Sequence, residues 1–221
     1  VDWEELARAE AEALGVLQQL VREGDERLAG RAVDALGLLG TEAVEALVEA
    51  LEHSDETVVF KAVQALGDIG APRAIDPLET VWKADQNPFL QVEAAVALVR
   101  SGRPEKRAWL VEVLQTGALV VLRANAAAAL GRLEDGASVE VLREVFRTDA
   151  EPAVRSSAAV ALARLGDREM LPALGDTLVQ SGNGAVSMAL VEALEAFDDP
   201  AAVPYLEAAI VEQQVPHYVR R

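Results

Sequence analysis

The chain has 221 residues, no cysteine and a formal net charge of −17, from 37 acidic and 20 basic side chains. The lack of cysteine excludes disulfides, thiol nucleophiles and thiolate metal sites, and a chain that needs no disulfide favours a cytoplasmic location. The acidic balance excludes a typical nucleic-acid partner, because a nucleic-acid groove needs basic side chains. No apolar run reaches the roughly 20 residues that span a bilayer, so no membrane partner is expected.

Few of the basic residues are lysine, while alanine and glutamate are abundant. This bias is typical of a GC-rich genome and also of a salt-adapted proteome, in which acidic surfaces keep proteins dispersed. The hydrophobic fraction of 51% is enough for a substantial core.

Along the chain, a long first helix is predicted from Asp2 to Glu23, and a nine-residue pattern then recurs six times. The copies are AVDALGLLG, AVQALGDIG, AAVALVRSG, AAAALGRLE, AAVALARLG and LVEALEAFD, and they close at Gly40, Gly70, Gly102, Glu134, Gly166 and Asp198. The closing residues lie 30 residues apart once and 32 apart thereafter. Such a period is typical of stacked helical hairpins.

Counted back from each closing residue, positions −12, −8, −5, −4 and −1 are almost always apolar, which predicts one face of an amphipathic helix. After each closing residue a second amphipathic stretch carries a leucine seven or eight residues on. These are Leu47, Leu78, Leu110, Leu142, Leu174 and Leu206. Each repeat is therefore predicted to be an antiparallel pair, a first helix followed by a second helix that ends at the closing residue. We expect an all-α fold with a single repeat domain over residues 1–221.

Residues 65–81 and 149–167, ALGDIGAPRAIDPLETV and DAEPAVRSSAAVALARLGD, resemble HEAT repeats of the phycobilisome-lyase-like type. The resemblance implies a right-handed α-solenoid of about six hairpins whose second helices line a concave face. It also implies an interaction scaffold, since most members of this class have that role and a minority are bilin lyase subunits. VPHYVRR at 215–221 matches the opening of a second helix, so a seventh repeat is predicted to start within residues 199–221. We therefore expect the chain to be a piece of a longer protein, or further residues to be missing.

On the predicted concave face, positions −10, −6 and −3 of the middle repeats are unusually apolar, which favours a groove for an amphipathic segment. The candidate groove residues are Phe60, Gln64, Val92, Val96, Val99, Ala128, Val160 and Met188. The alternative is that these side chains scatter over the surface or pack against a neighbouring turn.

At position −2, Arg100, Arg132 and Arg164 follow one another at intervals of 32 residues. One interpretation is a row of cations that receives a partner's carboxylates, which arginine binds in a bidentate way. The other is that each cation offsets a helix dipole, with Asp135 and Asp167 close by. At position −11, Arg123 and Arg155 are predicted to be structural, bonding to acids or carbonyls of the preceding repeat.

No catalytic, cofactor-binding or metal-binding residue is predicted. The two histidines, His53 and His217, are far apart in the repeat array, and polar residues around His53 suit an exposed turn better than a metal site. The loop Gly182-Asn183-Gly184 follows no strand and precedes no lysine, so it is not a phosphate cradle. A DNA glycosylase of this architecture would need stacking aromatics on a basic face, whereas the tryptophans fall in or near first helices.

These patterns predict a non-enzymatic scaffold that binds a protein or peptide on its second-helix face. The apolar side chains would bury the partner's apolar residues while the three arginines orient its acidic groups. Two alternatives stay open, namely a bilin lyase or lyase-like chaperone subunit, and a repeat module that associates with itself.

Overall fold

The computed structural model describes residues 3–84, 87–134, 136–180, 187–188, 190–191, 194–195 and 200–211. Every regular element in these ranges is helical, and none of the described residues lies in a strand. The chain divides into two compact units, residues 1–107 and 108–221.

The first unit contains three pairs of helices. They are α1 (Trp3–Glu23) with α2 (Glu26–Leu38), α3 (Val44–Ala50) with α4 (Glu56–Ile69), and α5 (Ile75–Ala84) with α6 (Pro88–Arg100). Within each pair the two helices pack against each other, and the second helices α2, α4 and α6 also pack side by side. Short 3₁₀ turns precede α3 and α5.

The second unit continues the same arrangement, although α7 begins two residues before its boundary. Among its described residues, the helices with defined bounds are α7 (Lys106–Thr116), α8 (Val120–Arg132), α9 (Val139–Thr148), α10 (Pro152–Arg164), α11 (Leu171–Gln180) and α12 (Val203–Val211). Residues 187–188, 190–191 and 194–195 are helical as well. Helix α10 packs against α8, α9 and α11. The predicted closing residue Asp198, the loop 182–184 and the end of the seventh repeat lie outside the described residues.

The all-α prediction is confirmed, and the stacked hairpins in each unit are those of an α-solenoid. The predicted core leucines Leu47, Leu78, Leu110, Leu142 and Leu174 are fully buried, whereas Leu206 is half-buried. The second-helix stripe is buried as well, as shown by the zero exposure of Val58, Ala62 and Leu66. Burial of each leucine side chain contributes roughly 1.5–3 kcal/mol to folding. The buried leucines of the first helices and the buried stripe of the second helices therefore stabilise the stacked hairpins together.

The closing residues end the second helices through a left-handed backbone conformation. All five that the structure describes have positive φ: Gly40 at 67°, Gly70 at 66°, Gly102 at 111°, Glu134 at 54° and Gly166 at 70°. Glycine adopts this conformation without steric cost, whereas a residue with a Cβ does not. Glu134 therefore adopts a backbone conformation for which the other described closing residues are all glycine.

Neighbouring second helices approach each other closely at position −3. A Cβ added to Gly67 would lie 2.9 Å from the Cβ of Ala97, and one added to Gly131 would lie 2.7 Å from the Cβ of Ala161. The alanines both occupy position −5 of the following repeat. The sequence prediction that position −3 belongs to the exposed face is thus wrong for Gly67 and Gly131, which are buried against the next helix.

Replacing Glu134 with glycine is expected to stabilise the protein by about 0.5–1 kcal/mol, because it removes the left-handed strain of a residue with a Cβ. Glu134→Ala, which keeps the Cβ, should bring no such gain. The reciprocal change Gly40→Ala, at a position with open space around the new Cβ, should cost about 1 kcal/mol. Urea unfolding midpoints measure all three, and equal stability of the two Glu134 variants would contradict the assignment.

The substitution Gly131→Val is expected to lower the free energy of unfolding by about 1–3 kcal/mol, because the new side chain would overlap Ala161. Gly15→Val is the matched control, since that glycine is also helical and a Cβ there meets no atom within 4 Å. Thermal and urea unfolding should show a large loss for the first variant and little change for the second. Comparable effects at both sites would mean that the helix contact is not tight.

Candidate functional site

The candidate surface in the first unit lies on α4 and α6. Phe60 is half-buried and packs against the hydrophobic core of this unit. Gln64 is half-buried too, and its side-chain amide donates to the carboxylate of Glu93 over 3.3 Å. Val99 is half-buried near the end of α6. These three residues are thus only partly available to a partner.

Val92 and Val96 correct the sequence prediction of an exposed apolar groove. Their exposed fractions are 1% and 4%, so neither side chain can line an open surface. The physical reason lies in the composition of α6, which is apolar around almost its whole circumference and buries residues on every side. A helix of this kind is a core helix and has no solvated apolar stripe.

Arg100 is the second correction in this unit. Its guanidinium bonds to the carboxylate of Asp68 at the equivalent position of the preceding second helix. The cation therefore already has an internal carboxylate partner, which neither of the two sequence interpretations included. Similar polar bridges join Lys61 to Asp34 and Asn87 to Glu56. Together they cross from each second helix of the unit to the next.

The candidate surface in the second unit lies on α8 and α10. Ala128 and Val160 are half-buried at equivalent positions of these two helices, and Arg132 is half-buried as well. Met188, farther along the chain, is also half-buried. The contact of Gly131 with Ala161 keeps α8 and α10 close together.

Arg164 differs from Arg100 in its surroundings. It is exposed at the end of α10 and has no acidic partner within the part of the chain that the structure describes. The sequence offered Asp167 as its neighbour, but both oxygens of that carboxylate accept hydrogen bonds from Arg143, each over 2.6 Å. Asp135, the corresponding acid near Arg132, lies outside the described residues.

Arg143 is a structural centre that the sequence did not reveal. Besides Asp167 it contacts Glu169 at 2.8 Å and Glu140 at 3.1 Å. The hydrogen bonds to Asp167 and the charges of the three carboxylates raise the pKa of Arg143 above its ordinary value. Since Asp167 is only 8% exposed, this cluster ties α9 to the turn before α11 and forms no open binding site.

Arg123 and Arg155 have the structural role that was predicted, but with different partners. Arg123 binds Asp149 with two nitrogens, at 3.1 and 3.3 Å, and donates to the carbonyl of Gly117. Arg155 donates to the carbonyl of Asp149 over 2.8 Å. The prediction of partners in the preceding repeat is wrong for both arginines, since Asp149 lies 26 residues after Arg123 and belongs to the same repeat as Arg155. Burial alone would raise the pKa of Asp149, but the bonds from Arg123 and from the Glu151 amide lower it.

A second cluster, in the first unit, joins Glu79, Lys106 and Trp82. The Lys106 ammonium lies 2.9 Å from the Glu79 carboxylate and 3.5 Å from the centre of the Trp82 ring. The side chains of Lys106 and Glu79 are only 12% and 16% exposed. The hydrogen bond from Lys106, with a weaker contribution from Lys83, holds the pKa of Glu79 below its ordinary value although burial opposes the shift. The cation–π contact adds to the stability of the cluster.

The described residues include histidine and acidic side chains, the types that can hold a metal ion. None of their histidine, aspartate and glutamate side chains assemble in the groups of three or more that could hold a metal ion. His53 lies in the turn between α3 and α4, where its Nδ1 accepts the Asp55 amide over 3.0 Å, and His217 lies outside the described ranges. The described helices are all too short or too polar to cross a membrane.

Comparison with known families gives matches along most of the chain. Residues 13–98, 83–163 and 139–221 each match the family model described as HEAT repeats. Among solved structures, the complex of CpcE and CpcF of phycocyanin lyase from Nostoc sp. PCC7120 is similar, with a TM-score of 0.54 and 19% identity. The alignment covers 91% of this chain and 83% of that one, and at this identity it shows a shared fold.

Two engineered proteins solved by the Northeast Structural Genomics Consortium are also similar. Both are 23% identical to this chain, with TM-scores of 0.42 and 0.40, and their alignments cover 92% and 93% of it. The covered shares of the engineered chains are 99% and 68%. No curated protein sequence matches this chain significantly.

Lys106→Met is expected to destabilise the protein by about 1–2 kcal/mol at pH 7, because it removes a largely buried charged hydrogen bond. Since the pKa of Glu79 is lowered in the folded state, this stabilisation is complete above the ordinary value of 4.5 and is lost as the pH falls through the lower folded value. The difference between wild type and variant should therefore shrink in acid.

The matched control for this pair is Arg73→Met, since the contact of Arg73 with Glu45 is exposed, with side-chain exposures of 82% and 66%. That change should alter stability by less than about 1 kcal/mol at any pH. Urea unfolding at several pH values between 3 and 7 measures both variants. A loss of stability in Lys106→Met that did not vary with pH would mean that the bond to Glu79 is not its cause.

Proposed function

Because this chain belongs to the HEAT-repeat family, we propose that it is a non-enzymatic module that binds a partner protein on the surface of its second helices. One observation carries the proposal. Arg164 is an exposed cation without an acidic partner among the described residues, and it stands on the same helix as the half-buried Val160. An apolar contact beside an arginine suits a protein segment that carries an acidic group.

The geometry of α8 and α10 supports a binding surface on the second helices of the second unit. Small side chains at Ala128 and Val160 leave room for a partner's larger apolar groups, and α8 and α10 are held close by Gly131 and Ala161. A surface that is already rigid loses little conformational entropy on binding. The partner is therefore proposed to be a protein segment that is apolar on one side and acidic beside it.

The proposal differs from the groove expected from the sequence. Val92 and Val96 are buried and Arg100 is bonded to Asp68, so the first unit offers less of the predicted surface than the second. Phe60, Gln64 and Val99 can contribute only the exposed parts of their side chains. The binding residues proposed are Ala128, Arg132, Val160, Arg164 and Met188.

The fold shared with phycocyanin lyase keeps a lyase-like chaperone role as the second candidate, supported by the coverage of 91% of this chain. That role requires a bound or transferred chromophore. Protein purified from cells that contain bilins would then absorb visible light, whereas a scaffold alone is colourless. Self-association is the third candidate, and a mass that rises with concentration in solution would support it.

The experiment for the proposed function compares wild type with Arg164→Glu. Wild-type protein is used for affinity capture from the native cell extract, and the partner that is recovered is titrated against purified variants by calorimetry. Reversal of the charge should weaken binding at least about tenfold, the loss of roughly 1.4 kcal/mol. This loss of affinity is expected because Arg164→Glu replaces the proposed ion pair with the partner's carboxylate by a repulsion between two negative charges.

The control is Arg147→Glu, the same charge reversal on the first helix α9, where Arg147 is exposed. Its affinity for the partner should stay within about twofold of wild type. Equal weakening by both variants would mean that overall charge, and not the second-helix surface, determines binding. Failure of the wild-type protein to capture any partner would contradict the scaffold function itself.

A further inference from the structure

The first unit contains a cleft of about 650 Å³ between α2 and the start of α4. Its walls are formed by Asp25, Glu26, Arg27, Gly30, Arg31, Thr57 and Lys61. The groove predicted from the sequence begins at Phe60 and includes none of these residues. The volume falls within the range of small ligand sites in proteins.

Arg27 and Arg31 give the cleft its unusual charge. They are exposed and stand one helical turn apart on α2, where two like charges destabilise a helix by roughly 0.2–0.5 kcal/mol. Neither has an acidic partner within the described part of the chain. Most other basic side chains of this unit do, as Arg22 with Glu49 and Arg73 with Glu45 illustrate. Asp25 and Glu26 also line the cleft, but no ion pair among the described residues joins either acid to Arg27 or Arg31.

The floor of the cleft is apolar because of Gly30 and Lys61. A Cβ added to Gly30 would lie 3.6 Å from both Cδ and Cε of Lys61, so the aliphatic stem of the lysine covers the glycine. The ammonium group is turned to Asp34, with which it forms an ion pair. The stem therefore acts as an apolar surface, a common role of long charged side chains.

We propose that this cleft binds a carboxylate-bearing segment of the partner protein, with Arg27 and Arg31 holding the carboxylate and the stem of Lys61 contacting an apolar side chain. Guanidinium groups bind carboxylates through paired hydrogen bonds, which gives both charge complementarity and a defined geometry. The inference rests on the proposed protein-binding function and adds a second contact site, in the first unit.

The other charges around the cleft favour a carboxylate over a polyphosphate. Asp25 caps α2 by accepting the Leu28 amide over 2.8 Å and stays close to the cations, and Glu26 follows it in the lining. These two carboxylates and the net charge of −17 would repel a nucleic-acid backbone. A single carboxylate beside an apolar group meets the two arginines without a large accumulation of negative charge.

The test is a titration followed by amide NMR at constant ionic strength, with glutarate as the carboxylate probe and inorganic phosphate as the competing anion. Glutarate should shift the backbone amides of Arg27, Gly30 and Arg31 saturably, and phosphate should bind more weakly. The double variant Arg27→Gln/Arg31→Gln should weaken glutarate binding at least tenfold. Arg73→Gln/Arg103→Gln is the matched control with the same charge change, and it should bind glutarate as wild type does.

Each contrary result overturns the assignment. Absence of saturable shifts, or equal binding by the double variant and wild type, would show that the cleft does not hold carboxylates. Tighter binding of phosphate would reassign it to phosphorylated ligands. The titration needs no partner protein, so its failure is distinguishable from failure of the proposed function, which the Arg164→Glu capture experiment tests in the other unit.

Discussion

The close approach of successive second helices is the constraint on which the rest of the structure depends. Small residues at position −3 of one helix and −5 of the next, such as Gly67 with Ala97, leave no space for a larger side chain. Because the backbones come so near, polar side chains on the solvent side of adjacent helices reach each other. The bonds of Asp68 with Arg100 and of Asp34 with Lys61 follow from this spacing, and they determine which cations stay free for a partner.

The distribution of charge then separates structural from binding residues. Arg123 and Arg143 are largely buried beside carboxylates that they neutralise, and Lys106 is held between Glu79 and Trp82. Removing such cations would leave buried acids without a partner, so they are fixed by folding. Exposed cations without an internal acid are different, because their counter-charge has to come from solvent ions or from another molecule.

Much of the fold could be predicted from the sequence because its period is regular. The apolar positions of the second helices and the leucines of the first helices identified the core, and the closing residues located the helix ends, including the left-handed Glu134. The face of α6 could not be assigned in this way, since a second helix packs on several sides at once. The apolar composition around the whole of α6 was the available signal that Val92 and Val96 are buried.

The partners of Arg143 and Lys106 could not be predicted from the repeat period, because they lie at positions that the period does not relate. Asp167 lies 24 residues from Arg143, and Glu79 precedes Lys106 by 27, so no local pattern connects them. Arg27 and Arg31 can be recognised in the sequence, because they are two like charges four residues apart in an otherwise acidic chain. Residues that work against helix stability are often found at functional sites, and this pair is one basis for the proposed carboxylate cleft.

The repeated glycine and alanine contact between second helices also bears on how such a chain can evolve. Gly37 meets Ala65, Gly67 meets Ala97 and Gly131 meets Ala161, so the same small-residue joint recurs from one hairpin to the next. A duplicated hairpin that carries both halves of the joint can stack on its parent without new packing. Lengthening of the array by gene duplication is therefore structurally simple, whereas drift at a single glycine of the joint is not.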